Sequence, residues 1–362
     1  MVKVDKLFFE LLQIALGNRE RLSVVPSAEE WTEIYAESER QAVTGLLIHG
    51  IDRLPTEQRP SKVLLLQWIG IGEIIKQQNS LLNGRCKELT SNLSAAGLHP
   101  TILKGQGIAQ CYPETLQKLR QSGDIDVYVD CGLRKALEFA ESLGQKNVEW
   151  DYKHLHLKLW DDTEVEMHYH VEVLLNLWKN RKLQKWFQKH QKAVHGSRFM
   201  VNGHALTAPT VKFNLFYILL HIYRHFLYEG VGLRQIVDYY FVLRTVHGEG
   251  LKVQDYVEAV REFGMTRFAN GLMWVMHEAL GMSREWMLWE PDEKEGRYIL
   301  EQVMTGGNFG HHDERLKHSG GKLGAVKAIL THNMHLLTHY PADVVWAPAW
   351  IVWHKLWKLT RR

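Results

Sequence analysis

The spacing of apolar residues changes twice along the chain and divides it into three regions. Over residues 1–97, apolar side chains recur at the 3.6-residue interval of amphipathic helices, as at Leu7, Leu11 and Ala15. Beyond Gly97 this interval gives way to short apolar runs and to strict alternation. From about residue 206 the helical interval returns. We therefore predict a helical region at 1–97, an α/β core at 98–205 and a helical domain at 206–362.

The central region contains the strand signals. Residues 98–104 and 124–129 are short apolar runs, and a helical pattern follows the second run at 133–143. Residues 154–160 and 164–171 alternate between apolar and polar side chains around a polar turn, which predicts an antiparallel hairpin. This order predicts an α+β fold, in which a small mixed sheet with helices is flanked by N-terminal and C-terminal helical regions.

The C-terminal region reads as a series of helices. Each predicted helix carries apolar residues on a repeating face. These helices are residues 211–228, 233–246, 253–263, 268–280 and 324–337. A polar, glycine-bearing loop at 306–321 precedes the last of them.

Composition indicates a folded protein without a general affinity for nucleic acid. Of the 362 residues, 45% are hydrophobic and 23% are charged, as in ordinary globular proteins. The net charge is only +3, so there is no strong nucleic-acid signal. The three cysteines are far apart, and the first residues lack a signal-peptide pattern. We expect reduced thiols and a cytoplasmic location.

Two aspartates, Asp124 and Asp126, mark the second central strand as a candidate metal site. Side chains two residues apart in a strand share a face, and the repulsion between two carboxylates is relieved by a divalent cation. Hard carboxylate oxygens favour Mg²⁺ or Mn²⁺. One face of the second hairpin arm carries Glu164, Glu166, His168 and His170, and a carboxylate on this face supplies a further ligand if the strands are neighbours. Such carboxylates next to a glycine turn are typical of phosphoryl and nucleotidyl transfer.

Additional residues around this stretch make the pattern more specific. They are Leu103, Lys104, Gly105, Tyr112, Pro113, Arg120 and the segment 123–126, followed by an acidic strand and a helical tail. In these residues the chain resembles the uncharacterised bacterial nucleotidyltransferase family of the polymerase β-type nucleotidyltransferase superfamily. The resemblance covers the central region and extends into residues 213–243. One departure is residues 104–107, which replace the glycine-serine signature of the superfamily.

The resemblance implies roles for the candidate site residues. Asp124 and Asp126 are expected to bind metal ions, and Glu166 is expected to be the third catalytic carboxylate, ahead of Glu164. The nucleotide-binding candidates are Lys104, Gly105, Gln106, Gly107, Arg120 and Gly123, with Lys104 or Arg120 as a phosphate contact. The acceptor-side candidates are His221, Arg234 and Asp238, together with His168, which shares a face with Glu166.

The reaction that follows is transfer of an NMP group from an NTP to a hydroxyl-type acceptor, a small molecule or a protein, with release of pyrophosphate. Mg²⁺ or Mn²⁺ is the expected cofactor. A catalytically silent nucleotide-binding or partner-binding protein on the same fold is the alternative. A metal-dependent phosphohydrolase built on the 20 histidines is a third hypothesis, for which His311, His312 and Asp313 form a partial pattern.

A further helical pattern, at the end of the chain, carries a tryptophan stripe. Trp346, Trp350, Trp353 and Trp357 fall on one helical face beside basic residues. A helix of this kind suits a membrane interface or a partner surface. Packing against its own protein is the favoured interpretation.

Overall fold

The computed structural model describes residues 3–310 and 336–361, which fall into two compact units. The first, called the helical unit, contains residues 3–81, 111–121 and 229–310. The second, called the sheet unit, contains residues 82–110, 122–228 and 336–361. Each unit is assembled from segments that are distant in the chain. The domain boundaries drawn from the sequence at 97 and 205 stay predictions.

Helices account for most of the described chain. In chain order they are α1 (Lys3–Leu16), α2 (Ala28–Arg40), α3 (Thr44–Arg53), α4 (Lys62–Ala95), α5 (Glu114–Gln117), α6 (Gly132–Ser142), α7 (Leu177–Lys189), α8 (Gln191–Val194), α9 (Val211–Tyr228), α10 (Leu233–Gly248), α11 (Gln254–Glu262), α12 (Thr266–Leu280), α13 (Glu293–Gly306), α14 (Pro341–Val344) and α15 (Ala347–Leu359). Short 3₁₀ segments occur at Thr56–Gln58, Ile108–Cys111, Arg284–Trp286 and Asn308–Gly310. Over the ranges that the structure describes, none of the helices has the length and apolar character needed to cross a membrane.

Helices α9 to α12 confirm four of the five helices predicted after residue 206. The fifth, at 324–337, lies almost entirely outside the described residues, as do His311, His312 and Asp313. Local signals set several helix ends. Ser27 and Glu30 form a reciprocal capping box at the start of α2, and Gly281, with φ of 69°, ends α12 in the left-handed region.

All strands within the described residues belong to the sheet unit. They are β1 (Thr101–Ile102), β2 (Ile125–Tyr128), β3 (His154–Trp160), β4 (Thr163–His168), β5 (Ser197–Val201) and β6 (His204–Ala208). Four of them form a sheet of order β1-β2-β4-β3, in which β2 and β4 are parallel and the other pairs antiparallel. The predicted mixed sheet and the predicted hairpin are therefore confirmed.

One face of this sheet is apolar and packs on helices. Val127 from β2 and Met167 from β4 are fully buried in a cluster with Leu89 of α4 and Phe139 of α6. Because side chains alternate along a strand, the residues between them, Asp126 among them, project to the opposite face. Because one face of the sheet packs on helices, the polar residues of β2 and β4 lie together on the opposite face of the sheet.

A second hairpin, β5 and β6, was missed in the sequence. Its strands pair antiparallel from Ser197 opposite Ala208 to Val201 opposite His204. The loop is Asn202-Gly203, and both residues have positive φ, 49° and 74°. An Asn-Gly pair between apolar runs is the strongest short-range hairpin signal, because type I′ turns need positive φ at both positions. The signal was thus present in the chain.

The tryptophans of α15 pack within the sheet unit. The rings of Trp350, Trp353 and Trp357 lie 5.6, 5.0 and 5.1 Å from the ring of Tyr152. Val352 and Leu356, on another face of this helix, are 59% and 60% exposed. A membrane or partner contact through this helix stays a prediction.

Candidate functional site

The parallel pairing of β2 and β4 brings two predicted carboxylates together. Asp126 lies directly opposite Glu166 in the strand register. Directly paired residues of neighbouring strands present their side chains on the same face of the sheet. Asp126 is buried, with 3% of its surface exposed, and Glu166 is partly buried. Asp124, two residues earlier, is also partly exposed and precedes the first residue of β2.

Lys104 lies at the turn that follows β1 and forms an ion pair with Asp126. Its Nζ lies 2.6 Å from Asp126 Oδ1, and only 14% of the lysine side chain is exposed. Burial opposes the charged form of Lys104, but Asp126, Glu166 and Asp124 outweigh it, and its pKa lies well above the usual value. The lysine therefore carries its positive charge in contact with Asp126 and within electrostatic range of Glu166 and Asp124.

The turn that positions Lys104 depends on two glycines. Gly105 has φ of 50°, in the left-handed region that favours glycine. At Gly107 a Cβ atom would lie 2.4 Å from the carbonyl oxygen of Ile102, which is backbone and has no freedom to move away. The requirement for glycine at 107 is thus a close approach between two stretches of backbone.

Replacing Gly107 by alanine is expected to destabilise the protein by about 2 kcal/mol, because the added methyl group forces the turn away from β1. The midpoint of thermal unfolding, followed by circular dichroism, measures this. Gly123→Ala is the matched control, since a Cβ atom at Gly123 meets nothing within 4 Å. Equal unfolding midpoints for the two variants would contradict the close-approach argument.

His168 connects the two carboxylates. Its Nε2 lies 2.9 Å from Asp126 Oδ1 and 3.1 Å from Glu166 Oε2, and its side chain is fully buried. Burial lowers the pKa of His168, but the hydrogen bonds to Asp126 and Glu166 raise it by more than burial lowers it. The pKa of His168 is therefore above its usual value. Because ionised carboxylates only accept hydrogen bonds, Nε2 carries the hydrogen that both share.

Both carboxylates are held in the ionised form. Burial alone would raise the pKa of Asp126, but Lys104 and the hydrogen bond from His168 outweigh it and lower the pKa. The pKa of Glu166 is lowered in the same way, by the hydrogen bond from His168 and by the charge of Lys104 acting against burial. The site therefore presents two anionic oxygen donors at neutral pH.

Two further histidines lie beside Glu166 on the neighbouring strand β3. His154 Nδ1 lies 3.6 Å from Glu166 Oε2, and His154 Nε2 lies 3.2 Å from Nε2 of His156. His156 Nδ1 in turn lies 2.9 Å from Glu164 Oε1. Burial, and then the charge of His168, lower the pKa of His154 to about 3, so this imidazole is neutral at physiological pH.

A second buried group centres on Glu172, shortly after β4. Its carboxylate is fully buried and contacts three basic groups: Lys153 Nζ at 3.7 Å, His221 Nδ1 at 3.1 Å and Arg224 Nε at 3.2 Å. Burial raises the pKa of Glu172, but Lys153 and Arg224 outweigh it and the pKa lies well below the usual value. His221, an acceptor-side candidate, is thus held by Glu172. The sequence signal for Glu172 was an acid between two valines, Val171 and Val173.

Arg120, Arg234 and Asp238, three predicted site residues, lie in the helical unit. Arg120 donates from Nε to Asp238 Oδ1 and from Nη2 to Asp238 Oδ2, both at 2.7 Å, and Tyr112 donates to Asp238 Oδ1 at 2.6 Å. Arg234 donates to the carbonyl of Gln121 at 3.0 Å. These contacts form a buried charged network, and the nucleotide and acceptor roles of its members stay predictions.

The remaining nucleotide-binding candidates, Gln106 and Gly123, belong to the sheet unit with Lys104. Gln106 donates from Nε2 to Asn83 Oδ1 of α4 at 2.7 Å and is buried. Gly123 is exposed, directly before Asp124. The structure therefore groups Lys104, Asp126, Glu166 and His168 by direct contact, whereas Gln106 is held by α4.

Comparison with known proteins gives one family match. The model of a family described as an uncharacterised nucleotidyltransferase matches residues 27–281. Among solved structures, the chain is similar to a crystal structure of an antigenic nucleotidyltransferase-like protein from Paracoccidioides brasiliensis, with 12% identity and a TM-score of 0.30. That similarity covers 62% of this chain and 96% of the other. No curated protein sequence matches.

Proposed function

Since the chain belongs to the uncharacterised nucleotidyltransferase family, we propose that it transfers an NMP group from an NTP to a hydroxyl-type acceptor with the help of a divalent cation. The observation that carries the proposal is the pairing of Asp126 with Glu166 across β2 and β4. Two ionised carboxylates on one sheet face, with Asp124 close by in the chain, provide the oxygen donors that such chemistry requires. The acceptor is an unidentified small molecule or protein.

The donor set fits Mg²⁺ or Mn²⁺, which prefer carboxylate oxygens. Asp124, Asp126 and Glu166 are the residues that would hold the cation. When bound, the cation would polarise the phosphate oxygens of the NTP and offset the charge that develops on them. The lowered pKa of Asp126 keeps its carboxylate ready to bind without loss of a proton.

Lys104 is proposed to bind the triphosphate. Its ammonium group is charged, is held by Asp126 at 2.6 Å and lies on a turn whose glycines permit close approach of backbone. Lys104 would be released from part of this ion pair when Asp126 holds a cation, and its ammonium would then be available to a phosphate oxygen. In this way Lys104 would couple cation binding to nucleotide binding.

The same ion pair supports a second candidate function. Because Lys104 already offsets the negative charge of Asp126, this carboxylate has less need of the cation that transfer requires. A catalytically silent nucleotide-binding protein is that candidate. It differs from the first in one measurable respect, since it binds the NTP but releases no pyrophosphate.

Pyrophosphate release tests the proposal. The protein is incubated with each of four NTPs, Mg²⁺ or Mn²⁺ and a panel of hydroxyl-bearing acceptors. Glu166→Gln is expected to lower the rate by about 10²–10³-fold, as for loss of one group that stabilises transition-state charge. Glu141→Gln is the matched control, since Glu141 is an exposed carboxylate of α6.

Either of two outcomes would sink the enzyme proposal. One is NTP binding by calorimetry without pyrophosphate release from any acceptor, which favours the silent binding protein. The other is an equal rate for the Glu166→Gln variant and wild type, which removes Glu166 from the reaction.

A further inference from the structure

The two central carboxylates have chemically different neighbours. Asp126 pairs with the ammonium of Lys104 at 2.6 Å. Glu166, in contrast, has histidines as its hydrogen-bond and ion-pair partners within residues 3–310 and 336–361: His168 Nε2 at 3.1 Å and His154 Nδ1 at 3.6 Å. The Glu166 side of the site is therefore rich in imidazole nitrogen.

Strand geometry sets this arrangement. Glu166 and His168 are two residues apart in β4, so they project from the same face. His154 of β3 lies directly opposite His168 in the antiparallel register, which places the two imidazoles side by side, with ring centroids 5.0 Å apart. One ligand atom from each of the three residues lies within 4.8 Å of the others. This is a spacing that a single bound ion can span.

The nitrogen of His154 that faces Glu166 is buried and lacks a hydrogen bond. Nδ1 of His154 has no hydrogen-bond partner among the described residues, and the side chain is 10% exposed. A buried polar atom without a partner costs free energy, and such atoms are rare in folded proteins. A ligand at this nitrogen, opposite the Glu166 carboxylate, would remove that cost.

The other ring nitrogen of His154, Nε2, contacts a chain of hydrogen-bonding groups on β3 and β4. Nε2 of His154 lies 3.2 Å from His156 Nε2, and His156 Nδ1 lies 2.9 Å from Glu164 Oε1. A chain of hydrogen-bonding groups that ends in a carboxylate fixes the tautomer and ring orientation of metal-binding histidines. Here the chain directs Nδ1 of His154 towards Glu166.

We propose that His154, Glu166 and His168 form a binding site for a first-row transition-metal dication that favours imidazole, such as Zn²⁺ or Ni²⁺. Two imidazole nitrogens and one carboxylate oxygen suit these ions, whereas Mg²⁺ prefers oxygen ligands alone. Three protein ligands also leave a coordination position open to a further group. Ligation through Nε2 of His168 would replace its hydrogen bonds to the two carboxylates, and the neutral ring would then carry its one hydrogen on Nδ1.

The proposed metal site is independent of the proposed nucleotidyl transfer, because the metal is expected to bind to the protein without any nucleotide. Glu166 belongs to both proposals, and His154 belongs only to this one. A metal held here would share Glu166 with the proposed catalytic site, so the same carboxylate would link the two. The metal preference of the protein then reflects its histidines as well as its carboxylates.

Titration of the full chain with Zn²⁺, followed by calorimetry, tests the site without any nucleotide. Wild type is expected to bind one Zn²⁺, and His154→Ala and Glu166→Gln are expected to weaken binding by about 100-fold or more. Even the loss of groups that only support a metal ligand costs about 10–100-fold. His170→Gln is the matched control. His170 also lies next to β4, but its ring stacks on the ring of Tyr152, with the ring centroids 4.6 Å apart.

Competition and spectroscopy complete the test. A large excess of Mg²⁺ is expected to leave Zn²⁺ in place, and Zn²⁺ is expected to shift the imidazole ¹⁵N resonances of two histidines in wild type. Because the ¹⁵N resonances are measured on wild type, they test the metal site even if the His154→Ala variant fails to fold. Unchanged imidazole resonances, unchanged affinity in a folded His154→Ala variant, or displacement of Zn²⁺ by equimolar Mg²⁺ would each overturn the site.

The two proposals fail in different ways. Zn²⁺ binding that depends on His154, without pyrophosphate release from any NTP, removes the transferase and keeps the metal site. Mg²⁺-supported pyrophosphate release without Zn²⁺ binding removes the metal site and keeps the transferase.

Discussion

Asparagine in place of Asp126 is expected to abolish cation-dependent pyrophosphate release, with a loss of about 10³-fold or more. The substitution preserves shape but removes the negative charge at the residue that contacts Lys104 at 2.6 Å and His168 at 2.9 Å. Removing a single preorganised electrostatic group already costs about 10²–10³-fold. Asp126 also raises the pKa of Lys104 and of His168 against the effect of burial, so the loss extends beyond one contact.

The measurement is pyrophosphate release under saturating NTP and Mg²⁺, together with NTP affinity by calorimetry. Asp130→Asn serves as the control, because Asp130 lies two residues beyond the end of the same strand and is exposed. A wild-type rate in the Asp126→Asn variant would remove this strand from the reaction. Equal losses in the two variants would point to damage of the strand rather than to a role for the Asp126 carboxylate.

Glutamine in place of Glu172 is expected to lower the free energy of unfolding by about 3–5 kcal/mol, because breaking a buried ion pair leaves an uncompensated charge. The substitution keeps the volume but leaves Lys153 and Arg224 with no charge from Glu172. Equilibrium unfolding in urea measures the change. Glu141→Gln, an exposed position of α6, is the control, with an expected change within about 0.5 kcal/mol.

Acidification should reduce the difference between wild type and the Glu172→Gln variant. The pKa of Glu172 is lowered in the folded protein from its ordinary value of 4.5. A depressed folded pKa contributes stability that is fully present above the unfolded value and is lost as pH falls below it. The gap in unfolding free energy should therefore be constant near neutral pH and shrink below about pH 4.5. A gap that widens in acid would contradict the ionised form of Glu172.

The candidate site could be predicted only in part from the sequence. Asp124 and Asp126 are two residues apart in an apolar run, so their shared face follows from strand geometry alone. Glu166 stands in an alternating segment and is therefore recognisable as a strand residue with a polar face. The ion pair of Lys104 with Asp126 was not predicted, because it depends on how the turn after β1 lies against β2.

Glu172 and Lys153 were not singled out from the sequence, although both are buried. A charged residue is usually exposed unless an oppositely charged partner is buried with it. Its burial therefore cannot be predicted without knowledge of that partner. Glu172 and Arg224 are 52 residues apart, and nothing in their local sequence indicates the pairing. The β5–β6 hairpin differs, since its Asn202-Gly203 turn is a local signal in the sequence.

Local periodicity and turn chemistry were enough to predict the helices α9 to α12, the hairpin β3–β4 and an α+β fold around a pair of aspartates. These features depend on interactions between residues close in the chain, which the sequence displays directly. The tertiary structure decided which strands are neighbours. The parallel register of β2 and β4 sets Asp126 beside Glu166, and the antiparallel register of β3 and β4 sets His154 opposite His168. Sheet order depends on packing between distant segments, so the imidazole surroundings of Glu166 became visible only in the folded chain.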